Sequence, residues 1–376
     1  MFKRVLGVAL LGVGIASTAH ASSVTLYGVV DIGIEGAKKS DQSSTLGMGS
    51  GIQAGSRWGI RGSEDLGGSL KANFMLETGI TVNDGKVQNG GRLFGRAAWG
   101  GFSGSWGEIR LGRMVTAAAL QFVFMDPFQT AFRQASVAST FNANSTLRGD
   151  NTVAYFTPKF GGFQAQGTYT FNADGGVATS DDSNKIISVV GKYTSGPLIV
   201  AASYETVKLG ENTSWAATQR ARNGGGDVED PKSVQLAAAY AMNSITLHAG
   251  WSQMRNGYAN LAFADGYNPE AGAVASTAVN RGQIGYFPNG KVNAYFLGLK
   301  ANAGNGAVLA SWQRNDPKGG VFDRLDANGQ NIYSVGYVYP LSKRTSVHAF
   351  YSYLDKAWFD SGWSSSSYGV GMRHNF

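Results

Sequence analysis

The groups in this chain best able to do chemistry are arginines spaced two or four residues apart among apolar neighbours. Arg57 and Arg61 alternate with Trp58 and Ile60. Arg92 and Arg96 stand on the opposite parity to Leu93, Ala97 and Trp99, and Glu77 shares its parity with Lys71 and Asn73. A guanidinium stays charged at any accessible pH, so such rows offer a standing electric field rather than proton transfer. Bond-making chemistry finds less support. A hydrolase needs a serine, a histidine and an orienting group within hydrogen-bond reach. Beyond residue 21 the histidines are His248, His348 and His374, and none belongs to a His-x-Ser pair. Cysteine is absent, which removes disulfides, thiolate metal sites and thiol nucleophiles. No His/Asp/Glu group has metal-ligand spacing, and Gly47-Met-Gly-Ser-Gly51 opens no helix as a phosphate loop would, so it reads as loop glycine. Neither an enzyme, a metal nor a cofactor is expected.

The elements that carry these charges have a two-residue period. Val24, Leu26, Val30, Ile32 and Ile34 alternate with Thr25, Asp31 and Gly33; Ile245, Leu247, Ala249 and Trp251 alternate with Thr246, His248 and Ser252. Phe163 to Phe171 and Val347 to Tyr353 behave alike, and the period over Lys291 to Asn302 is ambiguous. The chain ends on the same pattern, with Tyr368, Val370, Met372 and the terminal Phe376 on one face. A two-residue period marks a strand with one oily and one wet side. Taken alone, the last segment would better suit a half-buried terminal strand of a soluble sheet; the rest of the chain reverses this.

Seven short Gly-, Pro- or Asn-marked turns are expected at 64–68, 103–107, 158–162, 194–197, 241–244, 303–306 and 340–344. Eight longer connections lie near 35–54, 79–91, 114–149, 172–184, 207–231, 254–290, 315–329 and 355–364. Together they join sixteen strands. Alternation of short with long connections is what an up-and-down barrel gives when its two rims face different compartments. Both chain ends fall on the short-turn rim, so first and last strands can pair and remove the edges. The expected fold is therefore all-β, a transmembrane 16-stranded antiparallel β-barrel. At that size its own side chains do not fill the lumen, which becomes an aqueous channel.

Parity then places the charges. On the lipid face near mid-bilayer a charge costs about 2 to 4 kcal/mol, so Arg57 and Arg61, and likewise Arg92 and Arg96, are expected to point inward. Tyr27 and Lys71 take the lumenal parity, while Tyr155, Tyr169, Tyr193, Tyr240 and Trp99 are expected on lipid-facing or interface positions. The third long connection is apolar over Ala117 to Phe128, and charge in its middle is limited to Asp126 and Arg133, so it is expected to fold into the barrel. There it would hide Leu120, Phe122, Phe124 and Phe128 and leave Asp126 facing water. A short amphipathic helix on the outer rim is the alternative.

Lys3 and Arg4 precede an apolar run from Val5 to Ile15, and Ala19-His20-Ala21 offers the small residues a signal peptidase reads. Residues 1–21 are expected to be a secretory leader and 22–376 the barrel. That run is shorter than the ~20 residues of a spanning helix. Charged residues make up only 15% against a typical ~25%. The net charge of +7 is spread without a Lys/Arg run, so nucleic acid is not expected as a partner.

The chain resembles the general porins of Gram-negative bacteria, specifically the trimeric family typical of beta-proteobacteria. The resemblance covers essentially the whole chain. It rests on Ser23-Val-Thr-Leu-Tyr-Gly-Val-Val-Asp, Ser56-Arg-Trp-Gly-Ile-Arg-Gly-Ser-Glu-Asp-Leu-Gly-Gly, Gly95-Arg-Ala-Ala-Trp, Leu111-Gly-Arg, Leu341-Ser-Lys-Arg-Thr and the terminal Phe376. It implies a homotrimer in the outer membrane, among lipid and lipopolysaccharide, with the barrel assembly machinery reading the last strand at Phe376. The third loop would form an eyelet for passive diffusion of small hydrophilic solutes and ions. The family's arginine cluster falls on Arg57, Arg96 and Arg148, with Glu77 and Asp126 as acidic partners, which implies mild anion preference. This chain has Asp126-Pro127-Phe128-Gln129 where the family often has Pro-Glu-Phe-Gly. A channel specific for sugar or phosphate, and a barrel serving mainly as an adhesin or receptor, are the alternatives.

Overall fold

The computed structural model describes residues 23–40, 43–120, 122–141, 148–173, 183–211, 213, 216–217, 220–221, 224–227, 229–257, 287, 289–324 and 326–376. The expected leader and most of the connection at 254–290 lie outside the described residues.

Sixteen antiparallel strands close into one barrel. They are β1 (Ser23–Lys39), β2 in two pieces (Thr45–Ser50 and Arg57–Gly67), β3 (Leu70–Gly79), β4 (Ala97–Gly104), β5 (Gly107–Val115), β6 (Arg148–Phe156), β7 (Phe163–Thr170) and β8 (Lys185–Ser195). The second half comprises β9 (Leu198–Lys208), β10 (Lys232–Met242), β11 (Ile245–Arg255), β12 (Lys291–Ala303), β13 (Gly306–Lys318), β14 (Gln330–Pro340), β15 (Thr345–Asp355) and β16 (Ser364–Asn375). Each strand pairs with its sequence neighbours. β1 also pairs with β16, from Val29↔Asn375 to Lys39↔Ser365, so no edge remains. The seven short turns and eight long connections follow the expected order, but strand extends well into three of them: β1 runs to Lys39, the second piece of β2 to Gly67 and β13 to Lys318. One correction concerns Gly47 to Ser50, which is not loop but the first piece of β2, paired with β1.

The outer wall is the apolar one. Val24, Leu26, Ile34, Leu236, Leu297 and Val370 are exposed, as a lipid-facing wall requires. No helix among the described residues is long and apolar enough to cross a membrane. The core lies inside, where the described part of the third long connection (residues 116–147, called L3 below) packs against the wall. Met125 and Phe141 cluster with Phe287, Val292, Ala294, Phe296, Phe322 and Phe359; Phe128 and Phe132 cluster with Ile52, Leu309 and Phe350. This explains the ambiguous period of β12. Its lumenal residues Val292, Ala294 and Phe296 are apolar because a loop, not water, covers them.

Three lumenal glycines make room for that loop. A Cβ at Gly250 would lie 2.6 Å from Met125 Cε, one at Gly298 would lie 2.8 Å from Pro127 Cδ, and one at Gly336 would lie 3.0 Å from Phe128 Cε1. A larger residue at any of these positions would crowd the loop side chain that it meets.

Candidate functional site

L3 is stitched to the wall by hydrogen bonds from its own backbone. The N–H groups of Ala117 and Ala118 donate to Thr168 Oγ1 on β7 (3.2 Å) and Ser188 Oγ on β8 (2.8 Å). Farther round, Gln313 Nε2 on β13 donates to Ala135 O (2.7 Å) and Gln134 Nε2 donates to Ser352 O on β15 (2.6 Å). Arg133 reaches β1, donating through Nε and Nη2 to the Glu35 carboxylate at 2.7 and 2.8 Å, with Ser50 O as a further acceptor (2.9 Å). The described part of the loop therefore lines the inner wall from β7 round to β1 and the first piece of β2, and leaves the face from the second piece of β2 to β6 uncovered.

Asp126 departs from expectation. It is 1% exposed and does not face water. Its carboxylate accepts the N–H groups of Phe128 (2.8 Å), Thr130 (2.9 Å) and Val137 (2.9 Å), tying the two halves of the loop together. Burial pushes this carboxyl up to about 7, while those three donors act in the other direction. The physical reason is local. Asp126-Pro127-Phe128 turns sharply, so two of the donors are backbone amides of the same turn, Phe128 and Thr130, and the third comes from Val137 farther along the loop. Leu120 is 38% exposed rather than hidden, whereas Phe128 is fully buried as expected. The side chain of Phe122 lies outside the described residues. With Asp126 buried and Arg133 paired to Glu35, the described part of L3 presents no unpaired charge.

The uncovered face carries the arginines. Arg57 and Arg96 converge on Glu77: Arg96 Nε lies 2.7 Å from Oε1 and Arg57 Nε 3.4 Å from Oε2. Tyr27 donates its hydroxyl to Glu77 Oε2 at 2.9 Å, and Arg61 lies over the Tyr27 ring at 5.2 Å. Arg57 is also held by Gly55 O (2.7 Å), and Arg148 donates through Nε to Arg96 O (2.9 Å). Arg148 lies within electrostatic reach of Arg96, Glu77, Arg113 and Arg57. Glu77 therefore belongs to the arginine wall instead of facing it across the lumen. Arg92 stands apart, half exposed, paired with Asp150 at 2.6 Å. Arg113 shares Asp150 at 2.5 Å. Lys71 is exposed and opposite Asp65 and Ser103, close to the short-turn rim.

Three participants were not singled out by sequence. Arg113 sits at a bulge where parity arguments fail, since the register slips between Gly112 and Met114. Asp150 follows Arg148 at the start of β6, and only contact reveals its partners. Asp31 is a fully buried carboxylate that accepts the N–H groups of Ile52 (2.8 Å), Gln53 (3.0 Å) and Ala54 (2.9 Å). It shapes the break between the two pieces of β2, where Ile52 O then accepts the Phe132 N–H of L3 at 2.7 Å.

Trp99 requires a second correction. It pairs with Met75, which has the parity of Glu77, so it faces the lumen, not lipid; Ala98 and Phe102 face out. Arg110 stacks between Trp99 and Phe156, 4.3 Å from each ring, and pairs with Glu108 at 2.8 Å. β4 begins at Ala97, so Arg96 precedes it and the alternation read from Arg92 to Trp99 does not cross that boundary. Arg96 reaches the lumen through its own backbone, its N–H donating to Glu77 O at 3.1 Å.

A closed sixteen-stranded barrel with an apolar outer wall, a loop folded inside and charges along the remaining lumenal face is a membrane channel. Comparison with known proteins agrees. The family model for Gram-negative porins matches residues 7–357. An outer membrane porin protein of Bordetella pertussis is 36% identical over the full length of both chains. Outer membrane porin protein 32 of Delftia acidovorans is 29% identical, also at full length. Among solved structures, an anion-selective porin from Comamonas acidovorans matches with a TM-score of 0.68 at 27% identity, covering 95% of this chain and all of that one. The chain belongs to the Gram-negative porin family. It is an outer-membrane β-barrel whose water-filled channel allows passive diffusion of small hydrophilic solutes.

Proposed function

We propose that this porin prefers anions. The observation that carries the reading is an unbalanced wall: Arg57, Arg92, Arg96, Arg113 and Arg148 share only two carboxylates, Glu77 and Asp150. The described part of L3 adds no free acid to offset them. In a narrow lumen with low-dielectric walls, excess fixed positive charge raises the local concentration of anions, and salt weakens the effect. The solved porin named above is itself described as anion-selective, which supports the same reading here.

Arg57, Arg96 and Arg148 form the basic side of the constriction in this reading, with Glu77 as a local moderator. The protein assembles as a homotrimer after removal of residues 1–21, and the strand ending at Phe376 is what the assembly machinery engages. Replacing Arg57, Arg96 and Arg148 together by glutamine should move the zero-current potential in a KCl gradient toward cations. An unchanged potential would overturn the assignment. Conductance steps grouped in threes in a planar bilayer would support the trimer, and single isolated steps would argue against it.

A further inference from the structure

Strand register places Lys232 directly opposite Arg255, Arg255 opposite Lys291, and Lys291 opposite Lys318, so β10 to β13 carry four cations side by side at one level. All four share parity with Leu236, Trp251, Tyr295 and Trp312, on the outer wall at the long-loop rim. Lys208 on β9 and Lys185 on β8 oppose each other and extend the row. Side chains directly opposite in an antiparallel pair have Cβ atoms about 5 Å apart, and like charges there repel. Among the described residues, acids pair only with the ends. Asp316 lies 3.2 Å from Lys318 and 3.4 Å from Arg314, and Asp230 lies 2.6 Å from Lys208. In the middle, Arg255 has only the neutral Gln253 Oε1 at 2.7 Å, and Lys232, Arg255 and Lys291 have no ion pair among the described residues. At the same rim, β14 to β16 present Asn331, Asp355, Ser364 and Ser366 outward, with no cation.

A second feature lies beneath the same strands. An apolar groove crosses the outer wall from strand to strand over β7 to β13, with Gly191, Ala202, Ala238 and Ala249 among its small residues and Trp251 and Trp312 beside them. It begins four to six residues from the cations. That is about 10 to 15 Å below them at ~3.3 Å per residue with a strand tilt near 40°. Cations at headgroup level, with indoles and a furrow of small residues together at one depth beneath them, match the profile of a lipid headgroup and the upper part of its acyl chain.

We propose that Lys232, Arg255 and Lys291 bind the phosphate of an outer-leaflet lipid whose acyl chain lies in this groove. The bound anion offsets the repulsion that the register builds in, so the belt is a lipid site rather than part of the conduction path.

The test is native mass spectrometry of the detergent-purified protein, titrated with phosphatidic acid and, separately, with phosphatidylcholine. Wild type should bind the phosphomonoester lipid about tenfold more tightly, a preference supplied by three cations at the membrane surface. The variant K232S/R255S/K291S should reduce that preference to about twofold or less, since one attraction is removed for each cation. Its single-channel conductance and zero-current potential should match wild type, which shows that the barrel is folded and the pore intact. The single variant R255S provides an intermediate case if the triple variant assembles poorly. A preference that survives in the triple variant, or equal binding of both lipids by wild type, would overturn the proposal.

Discussion

Replacing Glu77 by glutamine isolates the charge on the constriction wall. The new amide oxygen can still accept from Arg96 Nε, and Arg57 retains Gly55 O, so the guanidinium groups stay near their places. What disappears is one negative charge beside the solute path. A unit charge acting over about 7 Å is worth about 0.6 kcal/mol in water. Low-dielectric walls increase this, and screening with a Debye length of about 10 Å at 0.1 M roughly halves it, leaving about 0.4 kcal/mol. An anion gains that amount and a cation loses it, so the anion-to-cation permeability ratio should rise about fourfold at 0.1 M salt. At 1 M the screening length falls to about 3 Å, and the change should shrink to less than about 1.5-fold. The assay is the zero-current potential across a KCl gradient, measured at both mean concentrations with single-channel conductance as a control. An unchanged potential, or a shift toward cations, would refute the placement of Glu77 beside the solute path, because loss of a carboxylate there must favour anions. A shift that does not shrink with salt would refute the electrostatic origin.

Further tests address how L3 is held. Gly250→Leu should drive the new side chain into Met125 and Phe141, at a cost of about 1 to 3 kcal/mol for overpacking. The barrel should still assemble, and L3 should leave the wall, giving unsteady, flickering conductance in place of long open steps; steady wild-type currents would show that the loop does not rest on this glycine. Asp126 should make the loop sensitive to pH. Its carboxyl is near 7 in the folded loop against 3.8 in the unfolded chain, so between those values the native state holds a proton that the unfolded state has released. The stability this confers is complete below about pH 4 and is lost as pH rises through about 7. Hydrogen-exchange protection of L3, corrected for intrinsic exchange, should fall from pH 5.5 to pH 8.5 in wild type and stay level in Asp126→Asn, and equal slopes in the two proteins would contradict this.

The sequence by itself determined the strands, their number, the rims on which they turn, and the closure of the first strand on the last. These follow from a two-residue period and from turn chemistry, both local, and lipid adds a strict penalty for charge on the outer face. It also determined that Arg57 and Arg61 point inward, since a regular strand carries parity without error from Trp58 and Ile60. Tertiary structure decided everything that depends on which distant segments meet. Arg133 and Glu35 are 98 residues apart, and nothing local marks them as partners. Glu77 joined the arginines because β3 lies between β2 and β4, while Asp126 was consumed by amides of its own loop, Phe128 and Thr130 in its turn and Val137 beyond it. Trp99 turned inward because the alternation breaks before Ala97, and its ring found Arg110, a planar cation suited to stacking on an aromatic face. The row of Lys232, Arg255, Lys291 and Lys318 exists only through register. Each is an ordinary rim residue on its own strand, and pairing alone sets them side by side.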